Sequence, residues 1–442
     1  MEEIALEDGI SLALTSLLGD RLALLAGAGL SMAPPSSLPS AEAIARSAKE
    51  EYDAIFGTTR PPLAAQIADQ AEFFFQRGEL MTVYFRTLID ANAFAGQPNA
   101  GHFAAADLLL VRGIQTGVTT NVDALIETAG QLLFGQVGVG IDVATVAALS
   151  PDISPLLKIH GCRVVDQANM VWAPSQLHTA PVSARIAESA QWLKVRLLDR
   201  DLLIVGYWTD WDYLNSILAT TLGAVRPARV IVVDPADGTS FADKAPALYA
   251  VGERATVAFK HVRVSGADFL DRLRMDFSRS FVRRVLHSGV DDFRASTGAE
   301  PDPAWMECPT LDNETLWSVR RDLEGRTPNE PAKERKPPTE TLVGLTILQL
   351  QARGAVADGP YWMLDGRRVR VLRAANKLLH RVEAEYARDT PTVTAPDLVI
   401  AVGADSHALP FDIVRAGFTA TIARGDSTRW LSRLDALQEL GI

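Results

Sequence analysis

The chain has 442 residues, of which 48% are hydrophobic and 22% charged, with a formal net charge of −11 and two cysteines, Cys162 and Cys308. That length allows two or three domains with cores of their own, and so few cysteines exclude a disulfide scaffold and a four-thiolate zinc site. The acidic balance argues against direct nucleic-acid binding, which draws on Lys and Arg to neutralise phosphates, and no apolar run reaches the ~20 residues that span a bilayer.

The first ~290 residues read as strands alternating with helices. A strand over Leu22–Ala26 stops at Gly27. Helical periodicity fills 41–56 and 63–95, where Phe73, Phe74 and Phe75 are expected to form a core. A helix follows Pro98, over His102–Leu110, then a strand over Ile114–Thr119 and a helix over Val122–Leu133. Further strands are expected at Pro155–Ile159, Leu202–Val205, Arg229–Val233 and Val262–Val264, the last followed by a helix over Ala267–Phe277. Apolar runs separated by helices of this length predict an α/β fold with a Rossmann-like parallel sheet covered on both faces. Beyond residue 288, Pro301, Pro303, Pro309, Pro328, Pro331, Pro337 and Pro338 crowd one stretch, so 289–340 reads as a Pro-rich linker region. The tail, 341–442, reads as a smaller C-terminal α/β domain: a helix over Thr341–Gln351, a hairpin turning at Asp365-Gly366, a helix over Ala374–Ala387, a strand over Asp397–Val402 and an amphipathic end, Thr428–Leu440. Arg367, Arg368, Arg370 and Arg373 form a basic run there, read as a solvated face paired with the chain's own acids in preference to a surface for a nucleic-acid-handling partner.

Five strand ends carry polar chemistry. Gly27-Ala28-Gly29-Leu30-Ser31 follows the first strand, and glycines there allow backbone to approach a pyrophosphate; a tight turn without ligand is the plain alternative. Thr119-Thr120-Asn121-Val122-Asp123 ends the second, where a helix cap would need only one such residue. Lys158-Ile159-His160-Gly161 closes the third and offers a general base. Gly206-Tyr207-Trp208-Thr209-Asp210-Trp211-Asp212 follows the fourth. Asp234 ends the fifth, where an acid can accept from ribose hydroxyls or simply make a turn before Pro235. Open α/β sheets bind ligands at this edge.

In order and register these signals resemble the sirtuin-type NAD-binding domain over residues 15–275. Gly27-Ala28-Gly29-x-Ser31 is similar to its Gly-Ala-Gly-x-Ser loop, Pro98-Asn99-x-x-His102 to its Pro-Asn-x-x-His stretch, Thr119–Asp123 to Thr-Gln-Asn-Ile-Asp, and His160-Gly161 to its catalytic His-Gly pair. The departures are Ala33-Pro34-Pro35-Ser36-Ser37-Leu38 in place of Gly-Ile-Pro-Asp-Phe-Arg, Thr120 in place of glutamine, no four-cysteine zinc module, and Gly206-Tyr207-Trp208-x-x-x-Asp212 in place of Gly-Thr-Ser. The last of these patterns resembles the divergent prokaryotic branch found in antiphage defence effectors.

The resemblance implies an NAD+ glycohydrolase that releases nicotinamide and ADP-ribose and depletes NAD+ when triggered. It assigns Gly27, Ala28, Gly29 and Ser31 to the diphosphate and Asn121 to the ribose and the attacking water. Asp123 falls to the nicotinamide carboxamide, and His160 to general base. Thr120, Gly206, Thr209 and Asp212 fall to the diphosphate or ribose wall, and Asp234 to the adenosine ribose. NAD+ is the substrate and no metal is expected. Residues 41–110 would form a helical subdomain within a domain spanning 1–288, in the place of the zinc module. A homo-oligomer is expected, with an operon-encoded partner (an ATPase or Argonaute-like protein) or a phage component as trigger, and the tail as the sensing or docking part. The acidic opening MEEIALEDGI carries no basic export signal, and the Arg- and Ala-rich composition reads as bacterial, so a cytoplasmic location is expected. Two alternatives stand beside this reading: an NAD-dependent protein deacylase, and a sensor that binds NAD or ADP-ribose without turnover.

Overall fold

Eight strands pair in parallel: β1 (Glu2–Glu3), β2 (Leu22–Ala26), β3 (Ile114–Thr119), β4 (Gly138–Gly140), β5 (Pro155–Lys158), β6 (Asp201–Val205), β7 (Arg229–Val233) and β8 (Ala258–Val262). Their order across the sheet is β1-β8-β7-β6-β2-β3-β5-β4. The computed structural model describes residues 1–133, 135–207, 227–246, 249–250, 253, 258–325, 340–374, 377–386, 395–404 and 428–442. Contacts group these into two compact units, Met1–Arg274 and Met275–Ile442.

In the first unit, β2 and β6 are buried at every position, as a sheet covered on both faces requires. Ala23, Leu25, Val118, Leu157, Ile204 and Val232 share one core with Val146 of α7 (Val143–Ala147), with Val182, Ile186 and Leu193 of α8 (Val182–Arg196), and with Phe241 of helix Gly238–Lys244. Helices α1 (Leu6–Leu18) and α5 (Ala100–Leu110) also pack on strands, α1 against β2, β6 and β8 and α5 against β3. The chain builds β3, β5 and β4 on one side of β2 and then crosses to β6 on the other, so the carboxyl ends beside β2 form a topological switch point. The strand expected at Val262–Val264 ends where that reading began. Lys260 and His261 break its apolar run, yet Lys260 pairs with Glu2 of β1 and His261 is fully buried, its ring stacked on Phe241.

The helical stretch expected over 63–95 is broken into α4 (Ile67–Phe75), a π-helical segment Leu80–Leu88 and a 3-10 turn Ala91–Phe94. With α3 (Ala41–Phe56) they enclose Tyr52, Phe74 and Tyr84, each fully buried. The Phe74 and Tyr84 rings stack at 5.2 Å. Phe74 is thus the core residue of its triplet, while Phe73 and Phe75 pack at its margin. The same core takes in Met170, Trp172 and Ala173, from the chain that follows β5.

The second unit holds a five-stranded mixed sheet, β13-β12-β11-β10-β9: β9 (Val356–Asp358), β10 (Tyr361–Leu364), β11 (Arg367–Arg373), β12 (Leu398–Val402) and β13 (Arg429–Ser432). β9, β10 and β11 form antiparallel neighbours, whereas β11, β12 and β13 run parallel. Asp365 and Gly366 both have positive φ, as the tightest hairpin turn demands. The amphipathic end resolves into β13 and the helix Arg433–Leu440, capped by Ser432.

Residues 289–325, read from their prolines as linker, carry helices Val290–Thr297 and Asn313–Glu324 with Phe293, Leu316 and Leu323 buried. Pro303 opens a 3-10 turn capped by Asp302, so that proline starts an element instead of separating domains. Residues 326–339 lie outside the described residues. The basic run also differs from a solvated face. Arg370 and Arg373 are buried; Arg370 makes a bidentate pair with Asp322, at 2.7 and 2.8 Å, and Arg373 donates to the Glu324 carbonyl at 2.9 Å. Arg367 pairs with Glu439.

Candidate functional site

Because all eight strands run the same way, the loops after β2, β3, β5, β6 and β7 share one edge. After β2 the chain turns through Gly27–Ser31 into the short helix α2 (Gly29–Met32). The Gly27 amide donates to the Val205 carbonyl at 2.9 Å and the Gly29 amide to the Gly206 carbonyl at 2.7 Å. A Cβ on Gly27 would lie 2.6 Å from the Gly206 oxygen, one on Gly29 2.8 Å from it, and one on Gly206 2.3 Å from the Leu30 nitrogen. Gly206 also sits at φ +59°. These three glycines are therefore required by the approach of two loops to each other, a nearer cause than the approach of a pyrophosphate that the sequence suggests. Ala28, between them, is exposed.

Ser31 is 2% exposed and forms a hub. Its Oγ donates to Asp123 Oδ2 at 2.9 Å and accepts from Asn121 Nδ2 at 3.1 Å. His102 Nε2 lies 3.1 Å from the same oxygen. The His102 tautomer follows from its other nitrogen: Nδ1 accepts the Asn99 amide at 3.2 Å, so Nε2 carries the hydrogen and donates to Ser31. Burial pushes the His102 pKa down to about 4 against the opposing pull of Asp123, which keeps the ring neutral near pH 7. Asn99 caps α5, and its Nδ2 donates to the carbonyls of Leu30 and Ala33, at 2.7 and 3.1 Å. The Pro98-Asn99-x-x-His102 stretch is thus a clamp that fixes the loop bearing Ser31.

Asp123 spends both oxygens inside the protein: Oδ2 on Ser31, and Oδ1 on the Leu125 amide at 3.0 Å, at the start of α6 (Leu125–Leu132). In this arrangement it anchors the turn to Ser31 and to the start of α6. Lys158, 1% exposed, donates to the Asp123 carbonyl and pairs with Glu127 of α6 at 2.7 Å. Burial opposes its charge, but Glu127, Cys162 and Asp123 outweigh that and raise its pKa.

Asn121 is 7% exposed; its backbone amide donates to Thr119 Oγ1 at 3.0 Å and its Nδ2 is held by Ser31. Its Oδ1 is buried and has no hydrogen-bond partner among the described residues. A buried acceptor left open is costly. In the preceding residue, the Thr120 amide donates to the Ala26 carbonyl, joining the ends of β2 and β3, and the Thr120 carbonyl accepts from the His160 ring. His160 is buried and its pKa is pushed down to about 3, chiefly by burial and further by the Arg185 cation, so it is a neutral imidazole across the physiological range. Asn121 and His160 are therefore fastened to consecutive residues of one turn.

Asp234, 2% exposed, accepts the Ala236 amide at 2.7 Å in its own turn. Thr209 and Asp212 lie outside the described residues. Two participants carry weaker sequence signals. A histidine three residues after a capping Asn is the signal for His102. Arg185 lies on a helix with no motif around it. Among the described residues, no three His, Cys, Asp or Glu side chains group as a metal site, and no helix is long and apolar enough to cross a membrane.

No family model and no curated protein matches the chain. Among solved structures, it is similar to a Sir2 homologue in complex with NAD, at 15% identity over 61% of this chain and 94% of that one, with a TM-score of 0.35. It is also similar to a mutant Sir2 homologue in complex with ADP-ribose, at 16% identity over 61% of this chain and 96% of that one, with a TM-score of 0.34. A third is a Sir2 protein with an inhibitor, 2′-O-acetyl-ADP-ribose and a deacetylated peptide, at 13% identity over 60% and 98%, with a TM-score of 0.33.

Proposed function

We propose that the first unit binds NAD+ and hydrolyses its nicotinamide–ribose bond to nicotinamide and ADP-ribose. One observation carries this reading: the Asn121 carboxamide is immobilised through its nitrogen while its buried oxygen stays open, in the turn that also holds a neutral imidazole. An open, oriented acceptor suits a ribose hydroxyl or a water that must be placed before it reacts.

The chemistry asks little else. The nicotinamide ring is cationic in NAD+ and leaves as a neutral base, so no acid is needed. Water forms the new bond to the anomeric carbon as the bond to the ring nitrogen breaks and its electron pair stays with the ring. Asn121 orients the water and the ribose. His160, unprotonated, receives a hydrogen from the water or a ribose hydroxyl. Ser31, Asp123 and His102 hold Asn121 in place, and the exposed Ala28 segment faces the diphosphate. The motif resemblance to the defence branch extends this to an effector that depletes NAD+ once a trigger or partner engages it.

The test is product analysis on the full chain, with and without an acyl-lysine peptide and with its genomic neighbours co-expressed. Nicotinamide and ADP-ribose in equal amounts without peptide are expected. Release that requires the peptide and yields acyl-ADP-ribose would make the chain a deacylase, and tight NAD+ binding without turnover would make it a sensor.

A further inference from the structure

Arg185 of α8 is 8% exposed, yet no carboxylate lies within ion-pair distance of it among the described residues. One terminal nitrogen donates to the Asn169 carbonyl at 2.8 Å, while its buried Nε has no hydrogen-bond partner. Burial lowers its pKa; Asp166 and Asp142 act the other way from a distance. Taking a guanidinium out of water without a direct counter-charge is expensive. A neutral donor would serve the Asn169 contact at lower cost, so the charge itself calls for a reason.

What Arg185 holds leads back to His160. Asn169 belongs to the loop after β5; its Nδ2 donates to both oxygens of Asp166, at 3.2 and 3.1 Å. Two residues on, the Val171 amide donates to the His160 carbonyl at 2.9 Å. Arg185 thus secures the loop on which the His160 main chain rests. The other charged groups at this corner are Lys158 on β5, tied to Glu127; Asp123 after β3, tied to Ser31; Asp166, tied to Asn169; and Asp142, which caps α7. Among the described residues, the charge that bears on the imidazole is that of Arg185.

We infer that Arg185 is a positioning residue for His160, seating through Asn169 the loop on which the His160 main chain rests and bringing its positive charge to the same corner. This rests on the proposed role of His160, but it can be read without turnover. In the full chain, the His160 imidazole is titrated by NMR in the parent, in Arg185→Gln and in Arg185→Lys. The glutamine variant, which keeps a donor and loses the charge, is expected to titrate about one pH unit higher; the lysine variant is expected to follow the parent. Should the glutamine variant not fold, Arg185→Met, which keeps the apolar stem and removes the charge, takes its place and is expected to titrate higher in the same way. An unmoved midpoint in the folded glutamine or methionine variant, or a lysine variant that rises as glutamine does, overturns the inference. If NAD+ turnover is absent while the midpoints move as stated, the hydrolase reading fails and the Arg185 assignment stands. Where turnover is present, the acid limb of nicotinamide release should move with the midpoint.

Discussion

Two buried polar clusters, one in each unit, show opposite bookkeeping. In the second unit, the Asp322 carboxylate meets Arg370 through both oxygens, and the arginine lies over the Tyr386 ring at 5.3 Å. In the first unit, the Ser31 hydroxyl is as fully engaged, by Asp123, Asn121 and His102. The Asn121 that hangs from it, however, keeps a buried acceptor open. A closed pair orders a fold; an assembly held rigid on one side and open on the other is prepared for something that arrives later.

The comparison is broken most forcefully at Asp322. Asp322→Ala strands Arg370 without its carboxylate and is expected to cost about 3–5 kcal/mol of stability, read by urea denaturation of the full chain. A cost below ~1 kcal/mol would place the pair among surface ion pairs and remove the contrast.

Ser31→Ala acts on the open cluster. It leaves His102 Nε2, Asn121 Nδ2 and Asp123 Oδ2 each one partner short, which is expected to cost about 1–3 kcal/mol. NAD+ turnover should fall by more than that loss of folding accounts for, because Asn121 is no longer aimed. Turnover unchanged in a folded Ser31→Ala protein would show that the hub is structure only.

A further effect concerns pH. His102 and His160 have pKa values pushed down to about 4 and about 3 from an ordinary 6.5. As pH falls below 6.5, the unfolded chain takes up protons that the folded chain refuses, so stability declines through that window and is fully present above it. His102→Gln, whose amide can still donate to Ser31, should flatten the decline between pH 6.5 and 4 in denaturation midpoints. An equally steep decline would contradict the neutral tautomer assigned to His102.

Much of this was legible from sequence, for identifiable reasons. Leu22–Ala26, Ile114–Thr119, Leu202–Val205 and Arg229–Val233 are short runs, mostly apolar, ended by glycine or polar residues, so both the strands and the loops at their carboxyl ends stood out. The polar register of β8 hid it, because Lys260 and His261 find partners only across the sheet and the helices on it. The hub was illegible as geometry: Ser31 meets His102 and Asp123 across 71 and 92 positions, and nothing local signals that contact. The glycines were visible, but their reason was not, since Gly206 presses on the first loop from a strand that begins beyond residue 200.

The central claim is that Asn121 and His160 serve one bond. The most direct measurement is nicotinamide release from NAD+ by the parent chain and by Asn121→Ala, with denaturation midpoints taken on the same samples. A loss of at least about 100-fold is predicted, at a midpoint close to the parent's. Equal rates in the two folded proteins would contradict the account.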